Sequence, residues 1–285
     1  MFNNILIPIS SEYYSKEVLK RGVFLAKKFK SKITIIYIIE EKTLNQTDKL
    51  SDAYRTHYEI AETKKEIIKK HQITADNIIF EDAKQFLNNK GIQLEEKVKE
   101  GEFSTVVKNV ISKNKYDLVL MGFEKECLLN YRLFDEANIP IWVESGRDNN
   151  TILAVCTNLA PNKKVPDISI ELAKSLDWNL HMIYVIDIQD SVIVDENGKR
   201  LGKKPEKILI DKGKFFVQKM KEKGIDVKII KGRLEKETIK AAEKINANLI
   251  ILGREQKKKG IWGLPIKRFK KKVAEKCKYS ILFIN

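Results

Sequence analysis

Residues 25–39 read LAKKFKSKITIIYII, and residues 172–186 read LAKSLDWNLHMIYVI. Each is the end of an amphipathic helix running into a strand rich in β-branched residues, and the two lie 147 positions apart. The correspondence continues outward. ILIPIS (5–10) matches ILAVCT (152–157) at the same offset of 147. GEFSTVVKNVISKNKYDLVLMG (101–122) matches GRLEKETIKAAEKINANLIILG (232–253) at an offset of 131, and NIPIWVES (138–145) matches KYSILFIN (278–285) at 140. Four blocks in one order make the chain two copies of one unit, 1–146 and 147–285, joined at the polar stretch SGRDNN (145–150).

Both copies give the same element pattern. A short apolar run (5–9; 152–156) precedes an amphipathic helix, whose apolar stripe in the first copy is Val18, Leu19, Gly22, Val23, Ala26 and Phe29. Strands follow at 33–39 and 180–186, then at 92–99 and 225–231 after a helical region. Another helix begins after Gly101 or Gly232. A fourth strand (117–121; 248–252), a loop, a last helix and a fifth strand (139–143; 280–284) complete the copy. Ile-, Val- and Leu-rich strands alternating with helices predict a parallel sheet covered on both faces.

The offsets also show where the copies differ. Between the second and third strands the first copy is longer by 147 − 131 = 16 residues, within an insertion at about 41–91. Leu50, Ala53, Tyr54, Tyr58, Ala61 and Ile68 predict a long helix there, with a shorter one after it. The second copy instead carries VIVDENGKRL, a hairpin turning at Asn197-Gly198. After the fourth strand the second copy is longer by 140 − 131 = 9 residues, the Gly- and Lys-rich stretch GREQKKKGIWGLPIKRFKKK.

Charge divides the same way. Residues 1–146 hold 23 Lys/Arg and 22 Asp/Glu, a net of +1, whereas residues 147–285 hold 31 and 17, a net of +14. Residues 254–278 alone carry eleven basic and two acidic side chains, a concentration that points to an anionic partner. No apolar run is long enough for a transmembrane helix, and MFNNILIPIS lacks the basic-then-apolar layout of a signal peptide. Cys127, Cys156 and Cys277 are far apart without a CxxC, as in a reduced cytosolic chain. A cytoplasmic protein that does not act on membranes is therefore expected.

Taken together, NILIPISSEYYSKEVLKRGVFLAKKFKSKITIIYIIE, YDLVLMG with IPIWV, and GRLEKETIKAAEKINANLIILG resemble the universal stress protein family in its tandem two-domain form. The resemblance covers essentially the whole chain. It implies two five-stranded parallel α/β domains of the Rossmann-like, adenine nucleotide alpha hydrolase-like class, packed as an internal pseudo-dimer. It implies a role in stress adaptation, and in many members binding of ATP or AMP.

The nucleotide-binding branch of that family has an Asp ending the first strand and a G-x2-G-x9-G-[ST] loop after the fourth. Glycines let backbone N–H groups approach phosphate, and the hydroxyl sits at a helix N-terminus that favours anions. Here the Asp falls on Ser10 in one copy and Thr157 in the other. In the second copy Gly253 fits the first glycine, Gln256 replaces the second, and the final Gly-Ser pair falls on Lys267 and Arg268. The first copy has no glycine after Gly122 in GFEKECLLNYRLFDEAN, so its phosphate loop is read as lost.

Three readings of 253–272 stay open. Lys257, Lys258, Lys259, Lys267 and Arg268, beside Gly260 and Gly263, supply charge to a bound nucleotide or other phosphate. Alternatively, Lys267 and Arg268 fill the phosphate space and close it. Or the stretch is a solvated basic face, with Ile266, Phe269, Val273 and Cys277 buried beneath it. Trp262 would stack a base in a polyanion complex or anchor the loop on its own domain. Asp187 follows the strand IYVI, where the family's ligand is often faced; a solvated strand end is the competing reading. His57, His71 and His181 have no second ligand at metal spacing, and neither G-x-S-x-G nor G-x4-G-K-[ST] is present.

The expected protein is a regulatory stress-adaptation protein, not an enzyme, without standard ATP binding and with no resident cofactor. The alternatives are an ATP/AMP binder using Thr157, Asp187, Gly253, Gly260, Gly263, Lys267 and Arg268, and a nucleic-acid or other polyanion module using the basic half. Expected partners are the chain itself, by internal domain pairing and as a homodimer, and a protein or anionic ligand at the second copy.

Overall fold

The computed structural model describes residues 1–10, 15–40, 57–74, 80–87, 94–122, 133, 137–159, 162–189, 191–194, 200–253 and 278–284. The chain divides into two compact units, Met1–Glu144 and Ser145–Asn285.

In the first unit, β1 (Asn4–Ser10), β2 (Lys32–Ile39), β3 (Leu94–Glu100), β4 (Leu118–Gly122) and β5 (Ile141–Glu144) are all parallel, in spatial order β5-β4-β1-β2-β3. In the second, β6 (Thr151–Thr157), β7 (Asn179–Ile186), β10 (Val227–Lys231), β11 (Leu249–Gly253) and β12 (Ser280–Ile284) repeat that order as β12-β11-β6-β7-β10. Between β7 and β10, β8 (Val192–Val194) and β9 (Arg200–Lys203) form the expected antiparallel hairpin; its turn lies outside the described residues.

The central strands are apolar on both faces because helices cover both. Ile5, Leu6, Ile7, Ile35, Ile38, Leu118 and Leu120 are fully buried in the first unit, as are Ile152, Ala154, Leu249, Ile250 and Leu282 in the second. Pro8 marks a difference between the copies. It has no N–H to give, and the β1–β4 register covers only Ile5 and Leu6, whereas in the second unit, with Val155 at that position, β6 pairs with β11 from Ile152 to Val155.

Helix α1 (Lys16–Phe29) carries the expected stripe and ends with Lys30 in the left-handed region at φ 55°. The insertion contains α2 (His57–Thr74) and α3 (Glu81–Leu87), with Leu50, Ala53 and Tyr54 of the expected long helix outside the described residues, and then α4 (Phe103–Lys113) follows β3. The second unit has α5 (Lys164–Leu176), α6 (Glu206–Lys221) and α7 (Leu234–Lys244). No helix is long and apolar enough to cross a membrane among the described residues.

Candidate functional site

In each unit the chain reverses direction across the sheet between the first strand and the fourth, and ligands of open parallel sheets bind at the carboxyl ends of strands at such a switch point. In the second unit Thr157 ends β6, Gly253 ends β11 and Asp187 follows β7. The fold therefore brings these three sequence candidates to one edge. Gly260, Gly263, Lys267 and Arg268 lie outside the described residues, as do Trp262 and the neighbouring lysines.

The polar groups at this edge make hydrogen bonds within the protein. The Thr157 hydroxyl is buried and accepts a hydrogen bond from the Leu159 N–H at 3.2 Å. Asp187 is 1% exposed, so it is not a solvated strand end. One carboxylate oxygen accepts from the Leu234 N–H at 2.9 Å, at the start of α7. Its own N–H donates to Asn158 Oδ1 at 2.8 Å, and its carbonyl accepts from Asn158 Nδ2 at 3.2 Å and from the Ser191 hydroxyl at 2.6 Å.

The reason Asp187 is needed lies in Arg233, the residue before α7, which offers no side-chain cap. The first unit solves the same problem locally, with Glu102 accepting from the Thr105 N–H at 2.8 Å at the start of α4. A carboxylate at a helix N-terminus satisfies an orphan N–H and complements the helix dipole.

Gly253 is held by packing. A Cβ there would stand 2.5 Å from Asn162 Cβ and 3.2 Å from its Cγ. Asn162 is itself fixed at both ends: its Nδ2 donates to the Ile284 carbonyl at 3.2 Å, and its Oδ1 accepts from the Lys164 N–H at 2.9 Å. Asn158 and Asn162 were not among the sequence candidates. Their only signal was two asparagines just beyond a strand that ends at a switch point.

At the first unit's edge Ser10 ends β1, and the residues after Gly122 lie outside the description up to Leu133. No cluster of three or more metal-ligating side chains occurs among the described residues. His71 instead pairs with Tyr37, its Nδ1 lying 3.1 Å from the phenol oxygen. Cys156 is buried and free, and burial pushes its thiol up to about 12, far from a reactive thiolate. Cys127, Cys277 and the His57 side chain lie outside the described residues.

Residues 1–134 match the model of the universal stress protein family. The fold of the chain is similar to that of a universal stress protein from Archaeoglobus fulgidus, at 15% identity and TM-score 0.64, over 98% of this chain and 96% of that one. It is similar at 13% identity and TM-score 0.65 to a Pseudomonas aeruginosa protein described as a universal stress protein, over 99% and 93%. A second P. aeruginosa protein, described as functionally unknown, gives 13% and 0.65 over 99% and 92%. No curated protein sequence matches the chain. Residues 1–134 thus match the universal stress protein family, and the second unit repeats the strand order of the first in a chain whose fold is similar to that of universal stress proteins over its whole length.

Proposed function

We propose that the protein is a regulatory stress-adaptation protein that does not bind ATP in the family's standard manner. The match of residues 1–134 to the universal stress protein family supports the stress-adaptation part. The observation that carries the second part is the packing of Asn162 onto Gly253. The space beside Gly253 that a side chain would take is filled by Asn162, which is held at both ends. Thr157 stands where the family has a carboxylate, and its hydroxyl, which accepts from the Leu159 N–H, brings no negative charge. Asp187 is spent on α7. Among the described residues these three contacts speak against the nucleotide that the family implies.

One observation favours a second reading, in which an atypical loop binds ATP or AMP: the eleven basic side chains within 254–278, beside Gly260 and Gly263. Lys267 and Arg268 would then replace the usual Gly-Ser pair as charge donors to phosphate. Isothermal titration of the full chain with Mg-ATP, at low and at moderate salt, separates the two. The proposal expects no heat at either salt. Micromolar one-to-one binding that survives moderate salt overturns it in favour of the basic loop.

A further inference from the structure

Beside the carboxyl edge of the second unit lies a cavity of about 520 Å³, between α5 and α6. Cys156 and Tyr184, on β6 and β7, form its floor, and Pro166 and Asp167, in the first turn of α5, form one wall. The other wall is α6. Two stripes run along that helix with the same 4-3-4 spacing. Leu209, Gly213, Phe216 and Met220 rest on the sheet: Leu209 and Met220 are buried, a Cβ on Gly213 would touch Tyr184 at 3.3 Å, and the Phe216 ring centroid is 5.0 Å from that of Tyr184.

Displaced by one residue, Ile208, Lys212, Phe215 and Lys219 form the stripe that lines the cavity. It alternates apolar and cationic side chains. Phe215 is 71% exposed and Ile208 49%. Large apolar groups left open beside a concavity mark an interaction site rather than core.

The charges at the rim are unbalanced. Lys163, Lys212, Lys219 and Lys223 oppose Asp167 and Asp211, so four minus two leaves +2. Lys223 is paired with Asp167. Lys163, Lys212 and Lys219 make no ion pair among the described residues. The floor is uncharged, because burial pushes the Tyr184 phenol, like the Cys156 thiol, up to about 12. A site with an apolar floor and wall and unpaired lysines along one rim suits a ligand with an apolar body and one anionic head. A triphosphate would bring several charges to a rim of +2 and leave the apolar wall unmatched.

We propose that this cavity binds a medium-chain carboxylate, its hydrocarbon lying along Phe215, Phe216 and Ile208 and its head group held by Lys212 and Lys219. The volume is in the range of small-molecule sites, ~300–1,000 Å³. The cavity adjoins the candidate edge through Thr157 and Asn162, but the carboxylate would be held by the α6 stripe, which takes no part in the nucleotide reading.

The test uses the full chain with 8-anilinonaphthalene-1-sulfonate as fluorescent probe, displaced by dodecanoate or by dodecyltrimethylammonium, both below micelle formation. Dodecanoate is expected to displace the probe about tenfold more effectively than the cation of equal chain length. The double variant Lys212→Glu, Lys219→Glu should weaken dodecanoate by about tenfold or more, with the thermal midpoint unchanged because both lysines are exposed. If charge reversal unfolds the unit, Lys212→Gln with Lys219→Gln carries the same comparison. Phe215→Ala should weaken both competitors. Equal displacement by anion and cation, indifference to the lysine changes, or displacement by Mg-ATP but not by dodecanoate would each overturn the proposal.

Discussion

Arg21 sits on α1 among positions that an amphipathic reading leaves to solvent, yet it is 7% exposed. Its Nε donates to Glu144 Oε2 at 2.8 Å, and Trp142 Nε1 donates to the same oxygen at 2.9 Å. Removing one partner of a buried pair strands the other charge. Arg21→Ala is therefore expected to destabilise the first unit by about 3–5 kcal/mol, read as a lower denaturant midpoint at constant slope. A loss no larger than that of an exposed arginine would refute the burial. Gly253→Ala tests the other unit. Its Cβ meets Asn162 Cβ at 2.5 Å, so a cost of about 1–3 kcal/mol is expected, relieved when Asn162→Gly is added. Additive effects of the two changes would show that they do not touch.

Elements are tied together by contacts that depend on pH. The first unit's α2 meets β2 where the Tyr37 phenol lies against His71, their ring centroids 6.4 Å apart. Burial, and then the nearby Lys70, hold the His71 imidazole below its ordinary value of 6.5, while burial raises the Tyr37 phenol. The unfolded chain thus binds the His71 proton more readily than the folded one. The contribution is fully present above about pH 6.5 and is lost as pH falls below that value towards the depressed one. Thermal midpoints should fall between ~pH 7.5 and ~pH 5.5, and His71→Phe should flatten that difference. An unchanged slope in the variant would remove His71 from the account. The same scale explains α7. With Arg233 unable to cap it, Asp187→Ala should leave the Leu234 N–H unsatisfied and cost about 1–3 kcal/mol, measured against Glu102→Ala in the first unit.

Across the whole molecule the two units share one strand order but not one charge. The second half carries +14 against +1. Any attraction to nucleic acid should then be electrostatic and steep in salt. Binding to a labelled single-stranded oligonucleotide is expected to fall by orders of magnitude between about 50 and 200 mM salt. Affinity that persists across that range would point to base stacking and revive a nucleic-acid role for this half.

The sequence by itself determined the duplication, the ten parallel strands to within a few residues, the long and short helices of the insertion and the hairpin after β7. These follow from local periodicity and turn chemistry, which any window of the chain displays. It also located Thr157, Asp187 and Gly253 at strand ends. Only the tertiary structure decided what those residues do. Asp187 finds the Leu234 N–H 47 positions away, and Gly253 meets Asn162 91 positions away. Arg21 finds Glu144 across 123 residues, and the cavity arises only where α5 and α6 stand apart over β6 and β7. Whether a polar side chain faces solvent, a ligand or another part of the chain is fixed by contacts remote in sequence, and periodicity carries no record of them.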